Sequence, residues 1–263
     1  MPLALFGNLS PAELSRYDKQ LRLPTWGRLA QERLKTGRVF VAGGSSLVAT
    51  AAFYLVTAGV GHVRVVDQER VTLSDLGDQV LYRERDLNRP KALILQQRLQ
   101  EVNPFVQVEG LDRKISEHTI LKITAQYDLL LANFQEQRQA LILNRAALKY
   151  RQPLLLGWLQ EWRGYLLTLK PGQGRCLACT SLPAAQSGSQ GLMAPLNAII
   201  GGIMALEGLR ILGGQEPALL ERIFGFDGQK YECFEEALTS LPSCPICGRR
   251  HQPDQPTPPR STS

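Results

Sequence analysis

Residues 38–67 read RVFVAGGSSLVATAAFYLVTAGVGHVRVVD, and this stretch decides the fold. Val39–Ala42 is a short apolar run typical of a buried strand, and it ends at the pair Gly43–Gly44. Leu47–Ala58 carries apolar residues at helical spacing, and Val63–Asp67 is a second strand-like run that closes on a carboxylate. A strand, a glycine turn, a helix and a second strand predict the first half of a doubly wound nucleotide-binding sheet.

The glycine turn departs from the usual dinucleotide-binding pattern. That pattern, Gly-x-Gly-x-x-Gly, keeps three positions free of side chains, so that backbone approaches phosphate and the helix packs on the strand. Only Gly43 fits it here, because Ser45 and Val48 stand where the second and third glycines belong. We expect Ser45 to hinder a phosphate and Val48 to crowd the helix against the strand.

The N-terminal segment carries a helix-start signal. Ser10 is the expected cap, Pro11 occupies the first helical position, and Glu13 completes a capping box. The pattern predicts a helix that continues through Tyr17 to about Leu21.

Composition favours a protein that binds neither membrane nor nucleic acid. The chain has 263 residues, 44% of them hydrophobic, and a formal charge of +6. Its basic residues are dispersed, which is typical of a solvated surface and not of a nucleic-acid interface. The longest apolar stretch, 192–206, is interrupted by Pro195 and Asn197 and predicts a buried helix. The N-terminus lacks a secretory pattern, so we expect a cytoplasmic location.

Four of the five cysteines form two Cys-x-x-Cys pairs. Cys176 and Cys179 form one pair, and Cys244 and Cys247 form the other. Without an export signal, two such pairs predict a structural zinc site with four thiolate ligands. The alternatives are four free thiols or a redox-active pair. Cys233 is expected to be a half-buried strand cysteine.

Strand-like and helical segments alternate as far as Gly157, and antiparallel-type strands follow. The sequence therefore predicts an α/β fold with a Rossmann-like, doubly wound, mostly parallel sheet, an antiparallel C-terminal extension and a four-cysteine zinc site. The predicted divisions are N-terminal helices (1–37), a Rossmann-like nucleotide-binding-type region (38–157), a region with antiparallel strands, a crossover loop, a long helix and the zinc site (158–250), and a disordered tail (251–263).

Several short motifs together resemble the MoeB/ThiF/HesA group of E1-like proteins. They are Tyr17–Leu23 (YDKQLRL), Ala58–Gly61 (AGVG), Val66–Asp67, Leu73–Leu76 (LSDL), Arg89–Lys91 (RPK), Asn103–Pro104, Met193–Leu196 (MAPL) and the two cysteine pairs. The resemblance runs from Tyr17 to Cys247. It implies ATP- and magnesium-dependent adenylation of the C-terminal glycine of a ubiquitin-fold sulfur carrier, carried out by a dimer.

The resemblance also implies roles for individual residues. Asp67 matches the ribose-binding carboxylate, Gly43 the first glycine of the phosphate turn, and Lys91 the phosphate-contacting lysine. Lys19, in the N-terminal dimer arm, matches an arginine that reaches the phosphates of the partner subunit. Without the resemblance, Lys91 is equally well explained as a surface lysine, and Asp67 as a helix cap or a solvated loop residue. Lys19 is expected to be a helix-surface residue unless the protein forms a dimer.

Other positions depart from the family pattern and predict a degenerate ATP site. Asp78 stands where the family has a phosphate-binding arginine, and Gln135 where it has a magnesium-binding aspartate. Glu136 is a conceivable substitute for that aspartate. Ser187 replaces the cysteine that some members carry, so thioester or persulfide chemistry there is not supported.

Three functions remain open at this point. The favoured one is a non-catalytic or weakly catalytic E1-like subunit, a pseudoenzyme that forms a homodimer or pairs with a catalytic paralogue, or binds a ubiquitin-fold carrier. The alternative is an active ATP-dependent adenylyltransferase with a rearranged site, using Lys19 and Lys91 as candidate catalytic residues. A Rossmann oxidoreductase ranks last, because no hydride-transfer residues follow the nucleotide-binding pattern.

Overall fold

The structure is a computed structural model, and it describes residues 8–134, 137–173, 175–181, 191–240, 244 and 246–247. Gln135, Glu136, Ser187 and the predicted disordered tail 251–263 lie outside the described residues.

The described elements alternate as the sequence predicts. The helices are Pro11–Arg16 (α1), Asp18–Leu21 (α2), Gly27–Thr36 (α3), Ser46–Ala58 (α4), Lys91–Val102 (α5), Glu117–Thr124 (α6), Gln137–Tyr150 (α7) and Ala194–Leu212 (α8). The strands are Arg38–Ala42 (β1), His62–Asp67 (β2), Gln107–Asp112 (β3), Leu129–Asn133 (β4), Leu154–Gln160 (β5), Arg163–Leu169 (β6), Thr180–Ser181 (β7), Arg222–Asp227 (β8), Glu232–Ala237 (β9) and Thr239–Ser240 (β10). Short 3-10 turns lie at Ser74–Gly77, Glu84–Asp86 and Leu177–Cys179.

One sheet of eight strands organises the chain, in the order β3-β2-β1-β4-β5-β6-β8-β9. Neighbouring strands in the run β3-β2-β1-β4-β5 pair in parallel. Neighbouring strands in the run β5-β6-β8-β9 pair antiparallel. Strands β7 and β10 form a separate antiparallel pair. The predicted fold class, a mostly parallel Rossmann-like sheet with an antiparallel C-terminal extension, is confirmed.

The strand order reverses at β1, which pairs with β2 on one side and β4 on the other. The loops that leave β1 and β4 therefore diverge and open a crevice at the carboxyl ends of the strands, where ligands bind in open α/β sheets. The glycine turn at Gly43 follows β1 and lies at this crevice.

Helices cover both faces of the sheet, because its central strands are apolar on both sides. Val39 and Phe40, successive residues of β1, belong to different buried clusters. Val39 faces the layer that contains Leu55 of α4 and Met204 of α8, and Phe40 faces the layer that contains Leu143 of α7.

Helix α8 is buried on one side only. Among the described residues, it is the one helix long and apolar enough to cross a membrane by length and composition. Ile200 and Met204 are fully buried in the core, whereas Ile199 is 36% and Leu206 63% exposed. The prediction of a buried helix is thus correct for one face, and the other face presents apolar side chains to solvent.

The N-terminal capping box is confirmed, because the Glu13 N–H donates to Ser10 Oγ and the Ser10 N–H donates to the Glu13 carboxylate at 2.8 Å. The prediction of one continuous helix to Leu21 is wrong. Tyr17 leaves helical geometry (φ −97°, ψ 11°) and separates α1 from α2. Its ring is buried, and its hydroxyl accepts a hydrogen bond from Asn103 Nδ2 at 2.9 Å, so tertiary packing breaks the helix here.

Candidate functional site

The glycine turn connects β1 to the N-terminus of α4. Gly43 has a φ of +92°, in the left-handed region that favours glycine, and its N–H donates to the Val66 carbonyl at 2.8 Å. Ser45 is the N-cap residue of α4, but its side chain makes no capping hydrogen bond. Its hydroxyl instead accepts from Asn133 Nδ2 at 3.2 Å, which ties the turn to the end of β4.

Gly44 holds the turn to two other segments, a role that the sequence pattern did not predict. Its N–H donates to Asp67 Oδ2 at 2.5 Å, and its carbonyl accepts from the Tyr82 hydroxyl at 3.0 Å. A Cβ at this position would lie 2.8 Å from the Tyr82 hydroxyl and 3.1 Å from Lys91 Cβ. Only glycine fits, because side chains from three other segments close over the turn.

Asp67 lies at the end of β2 and is 8% exposed. Its Oδ2 accepts the Gly44 N–H, and its Oδ1 accepts the Glu69 N–H at 2.6 Å. Burial raises the pKa of Asp67, although these two N–H groups favour the charged carboxylate. The carboxylate therefore acts first as an internal acceptor that shapes the turn.

Lys91 begins α5 and reaches the same region. Its Nζ lies 2.9 Å from a carboxylate oxygen of Glu69 and 2.9 Å from one of Asp75, and only 8% of its side chain is exposed. Burial disfavours a charged lysine, but the two ion pairs outweigh burial and raise the pKa of Lys91. The positive charge of Lys91 is thus already neutralised by the chain itself.

Asp78 places a further carboxylate beside the first turn of α4. Its side chain hydrogen-bonds with Ser46 and accepts from Asn197 Nδ2 of α8 at 3.2 Å. Burial raises the pKa of Asp78, and the nearby charge of Asp75 adds to this increase. A helix N-terminus favours an anion, and here the protein supplies that anion itself.

Four carboxylates, those of Asp67, Glu69, Asp75 and Asp78, lie near the Tyr82 hydroxyl. Burial raises the pKa of the Tyr82 hydroxyl, and the negative charges of Asp67, Asp75, Glu69 and Asp78 raise it further. Sequence reasoning identified Asp78 as a departure but missed Tyr82, because a tyrosine in an irregular loop carries no motif.

A cavity of 660 Å³ borders Asp67 and Gly43. Its lining includes Gly43 and Asp67 together with three cationic side chains, Arg113, Lys114 and Arg138. The volume lies within the range of about 300–1,000 Å³ that small-molecule sites occupy. Lys91, Asp75 and Asp78 do not line this cavity.

Lys19 lies far from the glycine turn of its own chain. Gln20, the next residue of α2, donates to the Ala58 carbonyl at 3.3 Å, at the C-terminal end of α4. The glycine turn precedes the other end of this 13-residue helix, about 18 Å away at 1.5 Å per residue. Lys19 instead lines an apolar groove of 670 Å³ between α2, α4 and α8, beside Tyr54 and Leu206.

The four cysteines of the two pairs meet in one cluster. Their sulfur atoms lie within 4.8 Å of one another, and the Cys176 Sγ is 3.7 Å from Cys179 Sγ and 3.8 Å from Cys244 Sγ. A tetrahedral site with zinc–sulfur bonds of about 2.3 Å has sulfur–sulfur edges of about 3.8 Å, so the donor set and spacing fit zinc. The fourth sulfur belongs to Cys247.

Cys233 lies outside this cluster, on β9. The prediction of a half-buried cysteine is wrong, because Cys233 is exposed. Every residue of β9 is exposed or only partly buried, so the packed elements among the described residues leave both faces of this edge strand largely open.

Sequence comparison matches residues 17–246 to the ThiF family. The chain is 34% identical to a sulfur carrier protein adenylyltransferase of Thermus thermophilus, over 93% of each chain. It is 30% identical to the sulfur carrier protein ThiS adenylyltransferase of Escherichia coli, over 91% of this chain and 97% of that protein. It is also 30% identical to the heterocyst protein HesA of Trichormus variabilis, over 92% of this chain and 91% of that protein.

Among solved structures, the fold is similar to that of MccB of E. coli, crystallised with MccA-N7isoASN. The TM-score is 0.80 at 18% identity, and the match covers 92% of this chain and 83% of MccB. At this identity the likeness concerns the fold alone. The family match covers residues 17–246, and the sequence matches cover nearly the whole of this chain and of each relative. The chain therefore belongs to the ThiF family of E1-like, MoeB/ThiF-type adenylyltransferases.

Proposed function

We propose that this chain is a non-catalytic or weakly catalytic E1-like subunit in the activation of a ubiquitin-like or sulfur-carrier protein. One observation carries the proposal. Lys91, which matches the phosphate-contacting lysine of the family, is held between Glu69 and Asp75 at 2.9 Å from each. A lysine that is already paired twice has little charge to offer a triphosphate.

The charge of the surroundings supports the same conclusion. Two like charges about 4 Å apart repel by roughly 1 kcal/mol in water and roughly 4 kcal/mol at a protein surface. A triphosphate over the turn would meet Asp67 and Asp78, and it would compete with Asp67 for the Gly44 N–H. The described residues do not fit ATP with magnesium as they stand, so Gly43, Asp67 and Lys91 are proposed to be remnants of its site.

The apolar groove between α2, α4 and α8 supports a role as a partner subunit. Tyr54 is 49% and Leu206 63% exposed along it, and Lys19 lies at its edge. We propose that this face contacts a catalytic paralogue or a second copy of the chain. A partner bound here would bring Lys19 toward the partner's own nucleotide site, which Lys19 cannot reach within its own subunit.

An active adenylyltransferase is the second candidate. It is favoured by the 34% identity with the sulfur carrier protein adenylyltransferase of T. thermophilus, over 93% of both chains. In that case Asp67 and Lys91 would hold ATP after Glu69 and Asp75 had released the lysine.

The cysteine cluster is proposed to bind one structural zinc ion through Cys176, Cys179, Cys244 and Cys247. All four positions of a tetrahedral site are thiolates, so no position remains for a substrate. Asn144 of α7 accepts the Leu177 N–H at 3.0 Å, which anchors the first cysteine pair to the sheet layer. Zinc there would fasten the C-terminal segment to the core. We further propose a cytoplasmic location, with neither membrane nor nucleic acid as a partner.

Exchange of labelled pyrophosphate into ATP tests the proposal, using the full chain, magnesium and a carrier that ends in Gly-Gly. We expect the chain, with carrier but without a paralogue, to show no more exchange than a control that lacks the carrier. We expect sedimentation to show that the chain forms a dimer with itself or with a paralogue. Exchange at about 1 s⁻¹ or faster, the ordinary range for enzymes, would instead establish the second candidate.

A further inference from the structure

We propose that two copies of this chain pack α8 against α8 in antiparallel directions, so that Lys19 of each copy forms an ion pair with Asp78 of the other. This pairing rests on the proposed function, because it names the partner of the same apolar face and commits to a second copy of the chain. It can fail while the chain remains non-catalytic.

The outer side of α8 is an apolar strip. Between Pro195 and Leu209, every residue of the helix that is exposed or partly buried has an uncharged side chain. Within this strip Ile199 is 36% and Leu206 63% exposed, and Tyr54 of the adjacent α4 is 49% exposed. The strip is about 21 Å long at 1.5 Å per residue. A contiguous apolar surface of this kind marks an interaction site.

Gly202 lies in the middle of the apolar strip. The other glycines of α8 are explained by packing within the chain, since a Cβ at Gly201 would lie 2.7 Å from the Leu47 carbonyl oxygen and one at Gly208 would lie 3.4 Å from the Leu55 side chain. A Cβ at Gly202 would have no heavy atom within 4 Å. A glycine inside a helix weakens that helix, so contacts within the chain give no reason for Gly202. The close approach of a second helix would give one.

One end of the α4–α8 pair carries an unpaired negative charge. The two helices run in the same direction, because Gly201 packs on Leu47 and Gly208 on Leu55. At their N-terminal ends, Asp78 hydrogen-bonds with the side chains of Ser46 and Asn197, both of which are neutral. Among the described residues Asp78 forms no ion pair, and it is only partly buried.

The other end of the helix pair carries unpaired positive charges. Lys19 and Arg16 line the apolar groove beside Leu206 and Leu209, and both cations are exposed. Arg16 donates to the Val102 carbonyl, and in the part of the chain that the structure describes neither cation pairs with a carboxylate. The face is therefore apolar along its length, acidic at one end and basic at the other.

This polarity selects both the partner and its direction. A second copy related by a two-fold axis near Gly202 places the Leu206–Leu209 end of each α8 against the N-terminal end of the other. Lys19 of one copy then faces Asp78 of the other, and the symmetry forms this contact twice. Parallel packing would bring Lys19 against Lys19, and like charges across an interface disfavour that register.

Sedimentation equilibrium of the full chain measures the dissociation constant of the dimer. Lys19→Asp and Asp78→Lys should each weaken self-association at least about tenfold, because the two-fold axis turns two attractions into two repulsions. Lys122→Asp, which changes an exposed lysine of α6 in the same way, should leave it unchanged. An equimolar mixture of Lys19→Asp and Asp78→Lys should dimerise about as tightly as the wild type, because both contacts of the mixed dimer then join opposite charges.

Two further measurements do not depend on the folding of Asp78→Lys. Gly202→Leu meets open space within its own chain, so it should unfold at the same or a higher urea concentration than the wild type and self-associate at least about tenfold more weakly. A carbodiimide, which condenses a lysine amine with a carboxylate in contact, should join Lys19 to Asp78. In a mixture of isotope-labelled and unlabelled wild type, this cross-link should connect labelled to unlabelled chains.

Three results would each overturn the pairing. They are a wild-type chain that stays monomeric at about 100 μM, a Lys19→Asp or Gly202→Leu chain that dimerises as tightly as the wild type, and a mixture of the two charge variants that associates no better than either alone when both are folded. A monomeric chain that dimerises only with a paralogue gives the first of these results. Pyrophosphate exchange is measured separately, so each result leaves the proposed lack of catalysis unaffected.

Discussion

Replacement of Lys91 by methionine separates a structural lysine from a catalytic one. In this structure the lysine neutralises Glu69 and Asp75, so its removal leaves two carboxylates facing each other close to Asp67. We therefore expect Lys91→Met to destabilise the fold. A lysine that only served ATP would be dispensable for stability, and its removal often stabilises a protein.

The magnitude follows from the burial of the partners. Removing one member of a buried ion pair costs about 3–5 kcal/mol, whereas an exposed pair contributes about 0–1 kcal/mol. Asp75 is 19% exposed and sets most of the effect, while Glu69 is 59% exposed and adds little. Removing a cation from the N-terminus of α5 offsets about 0.5 kcal/mol of this loss, because the positive end of the helix dipole disfavours a lysine there. We expect a net loss of about 2–4 kcal/mol.

Urea denaturation of the wild type and the variant at pH 7 measures this loss. Lys122→Met is the matched control, since Lys122 is an exposed helical lysine without a described ion pair, and it should change the free energy of unfolding by less than about 0.5 kcal/mol. The double variant Lys91→Met/Asp75→Asn should be more stable than Lys91→Met alone. A Lys91→Met protein as stable as the wild type would refute the reasoning.

Three further predictions concern the frame around the site. Gly59→Ala should cost at least about 2 kcal/mol in denaturation, because Gly59 has a φ of +96° and its Cβ would lie 2.5 Å from a ring carbon, whereas Gly77→Ala meets no atom within 4 Å and should be nearly neutral. Elemental analysis should find one zinc per chain, which Cys244→Ser should lose and Cys233→Ser should retain. Zinc that remains in Cys244→Ser would contradict a four-cysteine site. Burial opposes the charged form of Glu13, but hydrogen bonds with a lysine and a serine prevail and lower the pKa of Glu13 below 4.5. The difference in free energy of unfolding between the wild type and Glu13→Gln should therefore be complete above pH 4.5 and disappear as the pH falls through the lowered pKa of Glu13. A difference that does not change with pH would contradict this prediction.

Local patterns were sufficient to predict most of the frame. The run from Arg38 to Asp67 contains its own strand, turn, helix and strand, so its structure follows from neighbouring residues. The two cysteine pairs carry the same kind of information, because metal-ligand spacing restricts where they can meet.

The interior of the site could not be predicted in this way. Lys91 meets Glu69 across 22 positions of sequence, and Tyr82 meets Gly44 across 38. Such contacts depend on how the loop after β2 folds back over the turn, and that loop has no periodicity to reveal its path. The exposure of Cys233 was missed for a related reason, since a strand pattern does not tell whether other elements pack on the faces of that strand.

A crystal structure of the protein soaked with ATP and magnesium tests the central claim most directly. The account predicts that Lys91 stays paired with Glu69 and Asp75 and that no phosphate density appears over Ser45. Ordered, metal-bound phosphates at the N-terminus of α4, with Asp78 turned away and Lys91 released to meet them, would contradict it.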